Sequence, residues 1–225
     1  MRYYPVFLDL HGQRCLVVGA GEVGCRKIAS LLESDPAVIH VLDVAEPSSC
    51  LQALLEDKRI IHERRGFLPQ DAEGCALVFA ATSNPAANRE IVDICAAKGI
   101  LCNCADAPQA SSFIVPAHVQ QGSITLALST QGGSPALTRR LRRELEAWLG
   151  DRFTGLAELM ARLRPLVLAL QHETRRNTTL FRDLVESPLA DALQRRDRMA
   201  CEALLKDLLP PELHPHIMEL LHDLA

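Results

Sequence analysis

The sequence predicts an α/β protein built on a Rossmann-like, doubly wound parallel sheet. Apolar runs of strand length alternate with amphipathic stretches through residues 1–112, as in repeated strand–helix units. A glycine-rich turn, GAGEVG at 19–24, directly follows the first apolar run, CLVV. The pattern then changes to a hairpin and a helix at 113–150, and to helices alone at 151–225. We therefore predict a sheet domain, a small α+β segment and a C-terminal helical domain.

The predicted elements follow in order along the chain. The opening segment, YYPVFLDL at 3–10, is extended, and its alternation places it along an edge of the sheet. Strands are predicted at 15–18, 38–42, 60–63, 76–81 and 100–104, with helices from the glycine turn to about 34, at 48–58 and at 84–98. A hairpin has strands at 112–117 and 122–129, and a helix follows to about residue 148. Asn84 and Ser134 are predicted N-caps, each followed by a proline suited to the first helical turn.

The glycine turn has the residues of a dinucleotide site. Gly19 permits a tight exit from the strand, Gly21 lets the backbone approach a pyrophosphate, and Gly24 lets the helix pack on the strand. Asp43, which ends the second strand, is placed to bind the ribose hydroxyls and would repel a 2′-phosphate, so NAD is favoured over NADP. The predicted cofactor-binding residues are Gly19, Gly21, Glu22, Val23, Gly24, Asp43, Val44, Thr82 and Ser83. The alternative is a glycine-rich turn that binds no ligand.

Asp106 is the candidate catalytic residue. It follows the last predicted parallel strand, so it lies at the carboxyl edge of the sheet, where ligands bind in such folds. A carboxylate beside a nicotinamide can take a proton while a hydride leaves the substrate. The alternative is that Asp106 only caps the Asp-Ala-Pro turn, where aspartate is a favoured residue.

A second glycine-rich turn, QGGSP at 131–135, opens the arginine-rich helix. Its amides and the nearby Arg139 and Arg140 form a candidate anion site for carboxylates or phosphates. A capped helix with a solvated arginine face is the alternative.

Composition excludes several other classes of function. The net charge of −4 gives no reason to expect a nucleic-acid partner. No apolar run is long enough to cross a bilayer and the first residues do not resemble a signal peptide, so a cytosolic protein is expected. Cys15, Cys25, Cys75 and Cys95 fall in apolar or helical patterns as core residues. The histidines His11, His40, His62, His118 and His172 are scattered along the chain, and His214 and His216 lie in a proline-flanked tail. No metal-binding residue is predicted.

Several motifs together resemble the precorrin-2 dehydrogenase and sirohydrochlorin ferrochelatase family, which includes the N-terminal module of siroheme synthase. They are YPVFLDL before RCLVVGAGEVGCRK, NCADAP before SSFIVPA, and TQGGSPAL before the arginine-rich helix. The resemblance implies oxidation of precorrin-2 to sirohydrochlorin with NAD, for siroheme or cobalamin, and in some members Fe²⁺ or Co²⁺ insertion. It also implies that Asp106 is the acid/base and that the chain forms a homodimer through 113–150. The tetrapyrrole-binding candidates are Asn103, Ser129, Thr130, Ser134, Arg139 and Arg140.

Two other hypotheses use the same glycine turn. A nicotinamide-sensing regulatory module would need neither Asp106 nor an arginine-flanked GGSP turn, and both are present. A dehydrogenase acting on another small substrate is the second alternative. Formation of NADH from precorrin-2 would exclude the sensing module.

Overall fold

The computed structural model describes residues 3–171 and 173–225. The chain divides into two compact units, Met1–Val115 and Pro116–Ala225. The predicted division into segments at 1–112, 113–150 and 151–225 stays a prediction.

The first unit contains a five-stranded parallel sheet. Its strands are Arg14–Val18 (β1), Val38–Leu42 (β2), Ile60–Glu63 (β3), Cys75–Ala80 (β4) and Leu101–Cys104 (β5). They lie in the order β3-β2-β1-β4-β5, and each neighbouring pair is parallel. The helices are Glu22–Leu32 (α1), Ser49–Leu54 (α2) and Pro85–Ala97 (α3), with short 3-10 helices at Pro69–Ala72 and Pro108–Ala110. The Rossmann-like fold predicted from the sequence is confirmed.

Helices cover both faces of this sheet. Val17 of β1 belongs to one apolar cluster together with Ile28 of α1, whereas its neighbour Leu16 belongs to a second cluster with Ile91 of α3. Because successive side chains of a strand point to opposite faces, a central strand covered on both sides has to be apolar throughout. This explains the uninterrupted run CLVV.

The segment at 3–10 forms no β-strand, and Tyr4 and Phe7 are 85% and 75% exposed. Its predicted position along an edge of the sheet stays a prediction. The strand predicted at 112–117 is displaced, because Ser111 and Ser112 use their hydroxyls to bind the backbone of the edge strand β5. Those hydroxyls accept hydrogen bonds from the amides of Cys104 and Cys102, at 2.8 Å each.

The second unit begins with a two-stranded antiparallel hairpin, Ala117–Gln121 (β6) and Ile124–Leu128 (β7). Gly122, with φ +56°, allows its two-residue turn. Helices follow at Pro135–Leu149 (α4), Thr154–Ala169 (α5), Thr174–Glu186 (α6), Leu189–Gln194 (α7), Arg198–Leu208 (α8) and Ile217–Leu220 (α9), with a 3-10 helix at Pro211–His216. Helices α5 to α9 share one apolar core, in which Leu159, Leu163 and Leu205 are fully buried.

Helix α4 buries little of its apolar face within the chain. Leu137 and Trp148 are 46% and 56% exposed, and Leu149 is the one residue of the helix that is buried. Among the described helices of the whole chain, none has both the length and the apolar composition needed to cross a membrane.

A buried ion pair gives the first unit a pH dependence. Arg65 binds both carboxylate oxygens of Asp71, at 2.7 and 2.8 Å, and Asp71 is only 8% exposed. The guanidinium of Arg65 holds the pKa of Asp71 below its usual value. The carboxylate therefore adds stability above its unfolded pKa of about 4, and this stability is lost as the pH falls through the lower folded value.

We expect Asp71→Asn to lower the free energy of unfolding at pH 7 by about 2 kcal/mol, because it leaves a partly buried guanidinium with a weaker partner. The difference between the variant and the unmodified chain should shrink as the pH falls below about 4 and through the lower folded pKa of Asp71. Urea unfolding across this pH range measures both quantities. Asp35→Asn, which removes a carboxylate from an exposed pair with Arg59, is the matched control and should change stability little. An Asp71 variant as stable as this control would contradict the prediction.

Candidate active site

The carboxyl edge of the parallel sheet is shaped by a close approach of two loops. Gly19 follows β1 with φ +93°, and a Cβ built on it would lie 2.5–2.6 Å from the backbone of Ala81 and Thr82, after β4. A Cβ on Gly24 would overlap the carbonyl oxygen of Gly19. Both glycines are therefore required by packing within the protein itself.

Gly21 has a different environment. It is the N-cap of α1, and a Cβ built on it would have no atom within 4 Å. The next two residues, Glu22 and Val23, are exposed, and no side chain caps this end of the helix. Open space in front of uncapped helix amides fits the pyrophosphate of a dinucleotide.

Asp43 ties the end of β2 to the glycine turn. One carboxylate oxygen accepts the amide of Ala20 at 2.5 Å, and the other accepts the amide of Ala45 at 2.8 Å. Each carboxylate oxygen has two lone pairs, so acceptor capacity remains for ribose hydroxyls. Asp43 thus shapes the loop, and it also supplies a negative charge at the edge where the ribose is expected.

The residues around Asp43 add one ion pair at this edge. Val44 is 70% exposed, and its carbonyl oxygen accepts the Nε–H of Arg64 at 3.3 Å. The guanidinium of Arg64 is also paired with Glu46. Its positive charge is therefore already compensated.

Thr82 and Asn88 organise the loop after β4. Asn88, on α3, is 1% exposed, and its Oδ1 accepts the amide of Thr82 at 3.1 Å and the hydroxyl of Thr82 at 2.7 Å. Its Nδ2 donates to the carbonyl of Thr82 at 3.1 Å and to Oδ1 of Asp106 at 2.9 Å. One buried amide side chain thus joins the loop after β4 to the loop after β5. Ser83, the next residue along, is exposed.

Asp106 lies two residues past the end of β5. Its Oδ1 accepts two hydrogen bonds, from Nδ2 of Asn88 at 2.9 Å and from the thiol of Cys104 at 3.1 Å. These donors, the thiol of Cys104 first, hold the pKa of Asp106 below its usual value. The carboxyl group is therefore ionised at neutral pH and can act as a proton acceptor.

Asn103 lies on the opposite face of β5 from Cys104. Its Nδ2 donates to the carbonyl oxygen of Phe113 at 3.0 Å, and the ring of Phe113 packs edge-on against Phe79 at 5.7 Å. The side-chain amide of Asn103 thereby fixes the segment that follows the 3-10 helix Pro108–Ala110.

The remaining candidates lie in the second unit, where the hydroxyls hold the QGGSP turn together. Ser134 caps α4 by accepting the amide of Leu137 at 3.2 Å, which confirms the predicted N-cap. The hydroxyl of Thr130 accepts the amide of Ser134, and the hydroxyl of Ser129 accepts the amide of Gln131.

The two arginines that follow this turn are exposed. Arg140 is paired with Glu144 at 2.7 Å, one turn further along α4. Arg139 makes no ion pair with any residue that the structure describes.

Known proteins resemble the chain over most of its length. Residues 6–117 match a family described as putative NAD(P)-binding, and residues 121–147 match one described as sirohaem biosynthesis protein central. The siroheme synthase of Methylococcus capsulatus is 36% identical over 208 residues, or 92% of this chain and 43% of that protein. The siroheme synthase of Pseudomonas entomophila is 34% identical over 209 residues, or 93% and 45%. The chain belongs to the family of the siroheme synthase N-terminal module.

The fold of this chain is also found in a solved structure. A protein described as SirC, precorrin-2 dehydrogenase, matches with a TM-score of 0.70 and 25% identity, covering 89% of this chain and 100% of that one. The chain spans less than half the length of the siroheme synthases that it matches.

Two residues that bind Asp106 were not predicted as site residues. Asn88 shares the buried face of α3 with Ile91, Val92 and Cys95, so a polar residue in an apolar helical pattern was the available signal. Cys104 belongs to the close pair Cys102-Asn103-Cys104, and the sequence predicted no role for it. It is buried, and nothing in the spacing of its neighbours indicates that its thiol donates to a carboxylate.

The residues that the structure describes contain no group of three or more histidine, cysteine or acidic side chains arranged to hold a metal ion. His172, one of the scattered histidines, lies outside the described residues. All eight cysteines are described, and each is free.

Proposed function

We propose that this chain is an NAD-dependent precorrin-2 dehydrogenase, which oxidises precorrin-2 to sirohydrochlorin in the route to siroheme or cobalamin. The observation that carries the proposal is the link between Asp106 and the glycine turn. Gly19 packs against the backbone at Thr82, and Asn88 binds both Thr82 and Asp106. A carboxylate and a dinucleotide-binding loop are therefore fixed to the same edge of one sheet.

The oxidation removes two electrons and two hydrogens from the tetrapyrrole. A bound oxidised nicotinamide would supply the acceptor for one of these hydrogens, taken with its electron pair as a hydride. The other leaves as a proton, which the carboxylate of Asp106 takes. The lowered pKa keeps this carboxylate ionised and ready to accept it.

The substrate carries several carboxylates, and we assign Asn103, Ser129, Thr130, Ser134, Arg139 and Arg140 to its recognition. Arg139 supports this role best, since it is exposed on the first turns of α4. Ser129, Thr130 and Ser134 act by shaping the turn and the start of α4, because their hydroxyls accept the amides of Gln131, Ser134 and Leu137 respectively.

We also propose that the protein acts as a homodimer in the cytosol. Leu137 and Trp148 of α4 are exposed apolar side chains, and the leucines and isoleucine of β7 in the hairpin are only half-buried, which supports an interface at 113–150. Eight free cysteines, seven of them buried, support a reducing compartment.

We propose NAD rather than NADP because Asp43 puts a negative charge where the ribose is expected. The positive charge of Arg64, which could attract a 2′-phosphate, is compensated by its ion pair with Glu46. We expect Asp43→Asn to narrow the preference for NAD over NADP on the order of tenfold, since it removes one like charge from a 2′-phosphate. The asparagine oxygen can still accept the amide of Ala20. Dissociation constants for the two cofactors, measured by nicotinamide fluorescence, test this. Asp57→Asn is the control and should leave the ratio unchanged, because Asp57 precedes the start of β3 and so lies at the opposite edge of the sheet from Asp43. An unaltered ratio in the Asp43 variant would contradict the assignment.

Incubation with precorrin-2 and NAD tests the activity, with absorbance reporting both NADH and sirohydrochlorin. Formation of both products excludes a nicotinamide-sensing module. Cofactor binding without turnover would favour that module, and turnover of a different small substrate would favour an unrelated dehydrogenase. Insertion of Fe²⁺ or Co²⁺ into sirohydrochlorin is a further part of the proposal, with the metal as substrate. It is measured separately, without NAD.

A further inference from the structure

Asp106 has two carboxylate oxygens in different surroundings. Oδ1 accepts the amide of Asn88 at 2.9 Å and the thiol of Cys104 at 3.1 Å. Among the described residues, none donates a side-chain hydrogen bond to Oδ2. Two donors on one oxygen restrict rotation of the carboxylate about its Cβ–Cγ bond, so the two oxygens do not exchange places freely.

The two donors are themselves held in place. Asn88 is 1% exposed, and its amide oxygen is bound by the amide and hydroxyl of Thr82, which fixes the direction in which its Nδ2 points. Cys104 is 2% exposed, and its amide is bound by the hydroxyl of Ser111 at 2.8 Å. Burial and the bond to Asp106 raise the pKa of the Cys104 thiol, so it stays protonated and remains a donor at neutral pH.

We propose that Cys104 and Asn88 are positioning residues that hold Oδ1 of Asp106 and leave Oδ2 as the atom that takes the substrate proton. The proposal rests on the proposed dehydrogenase function and assigns its proton acceptor to one atom. A donor to an ionised carboxylate also stabilises the charged form. The thiol therefore sets how strong a base Asp106 is. The positive charge of Arg89, on α3, also acts on Asp106, and Arg89 is unchanged in the variants below.

The test replaces the thiol alone. Cys104→Ala removes the donor, and Cys104→Ser restores one. Cys102→Ala is the matched control, because Cys102 is buried on the same face of β5 but its thiol pairs with Cys95. Two quantities are measured in each variant: the titration of the Asp106 carboxyl carbon by ¹³C NMR, and the pH profile of kcat/KM for precorrin-2.

We expect Cys104→Ala to move the Asp106 titration and the acidic limb of kcat/KM to higher pH together, because the neutral form is then less disfavoured. Cys104→Ser should return both toward their original positions. Cys102→Ala should lose some stability and move neither. A purely structural role of Cys104 would change the unfolding midpoint without moving the titration.

An Asp106 titration that is the same with and without the Cys104 thiol overturns the proposal. So does an equal movement in Cys102→Ala, because the effect would then come from loosening of β5. If the protein does not oxidise precorrin-2 at all, the proposed function fails. The NMR titration still decides whether the thiol acts on Asp106.

Discussion

Asp106→Asn should fold, bind the dinucleotide normally and lose about 100- to 10,000-fold in kcat, the range that a positioned acid or base contributes. The asparagine oxygen can still accept the hydrogen bonds of Asn88 and Cys104 at Oδ1. Its NH2 group replaces Oδ2, and an amide nitrogen does not accept a proton. The substitution thus removes the basic atom and leaves an acceptor for both donors.

Steady-state formation of NADH from precorrin-2 measures the loss, and fluorescence titration with NADH measures cofactor binding. Asp93→Asn, on the exposed side of α3, is the control and should turn over like the unmodified chain. Turnover by the Asp106 variant at the level of this control would show that the base is another group. Loss of cofactor binding in the same variant would instead give Asp106 a structural role.

The second large effect is expected from substitutions in the glycine turn after β1. Gly19→Ala should lower the free energy of unfolding by at least about 2 kcal/mol, because φ is +93° and the added methyl would meet the backbone of Ala81 and Thr82 at 2.5–2.6 Å. Gly21→Ala should leave stability nearly unchanged, since no atom lies within 4 Å of its added methyl. It should weaken dinucleotide binding by roughly tenfold or more, because the methyl enters the space in front of α1.

Urea unfolding and dinucleotide titration on both variants separate the two roles. We expect the Gly19 variant to shift the unfolding midpoint and the Gly21 variant to shift the dissociation constant. Equal losses of stability in both would mean that Gly21 is also constrained by packing. An unchanged dissociation constant in the Gly21 variant would show that the pyrophosphate does not bind at the N-terminus of α1.

Sequence patterns predicted the sheet domain well because its signals are local. The run CLVV before GAGEVG gave β1 and the start of α1, and the pair Asn84-Pro85 gave the start of α3. The order of these units placed Asp43, Thr82 and Asp106 after the ends of parallel strands. The residues at 112–117 were misread because their apolar pattern resembles a strand. The hydrogen bonds that decide the matter come from Ser111 and Ser112 to β5.

In the candidate site too, local sequence signals and tertiary packing determine different features. The sequence by itself determined which residues stand at the carboxyl edge of the sheet, because strand order, turn glycines and helix caps depend on near neighbours in the chain. Only the tertiary structure decided which groups bind one another there. Asn88 reaches Asp106 across 18 positions, and Asp43 reaches Ala20 across 23. A hydrogen bond between such distant segments depends on a separation of about 3 Å that only the packing of α1 and α3 against the sheet establishes.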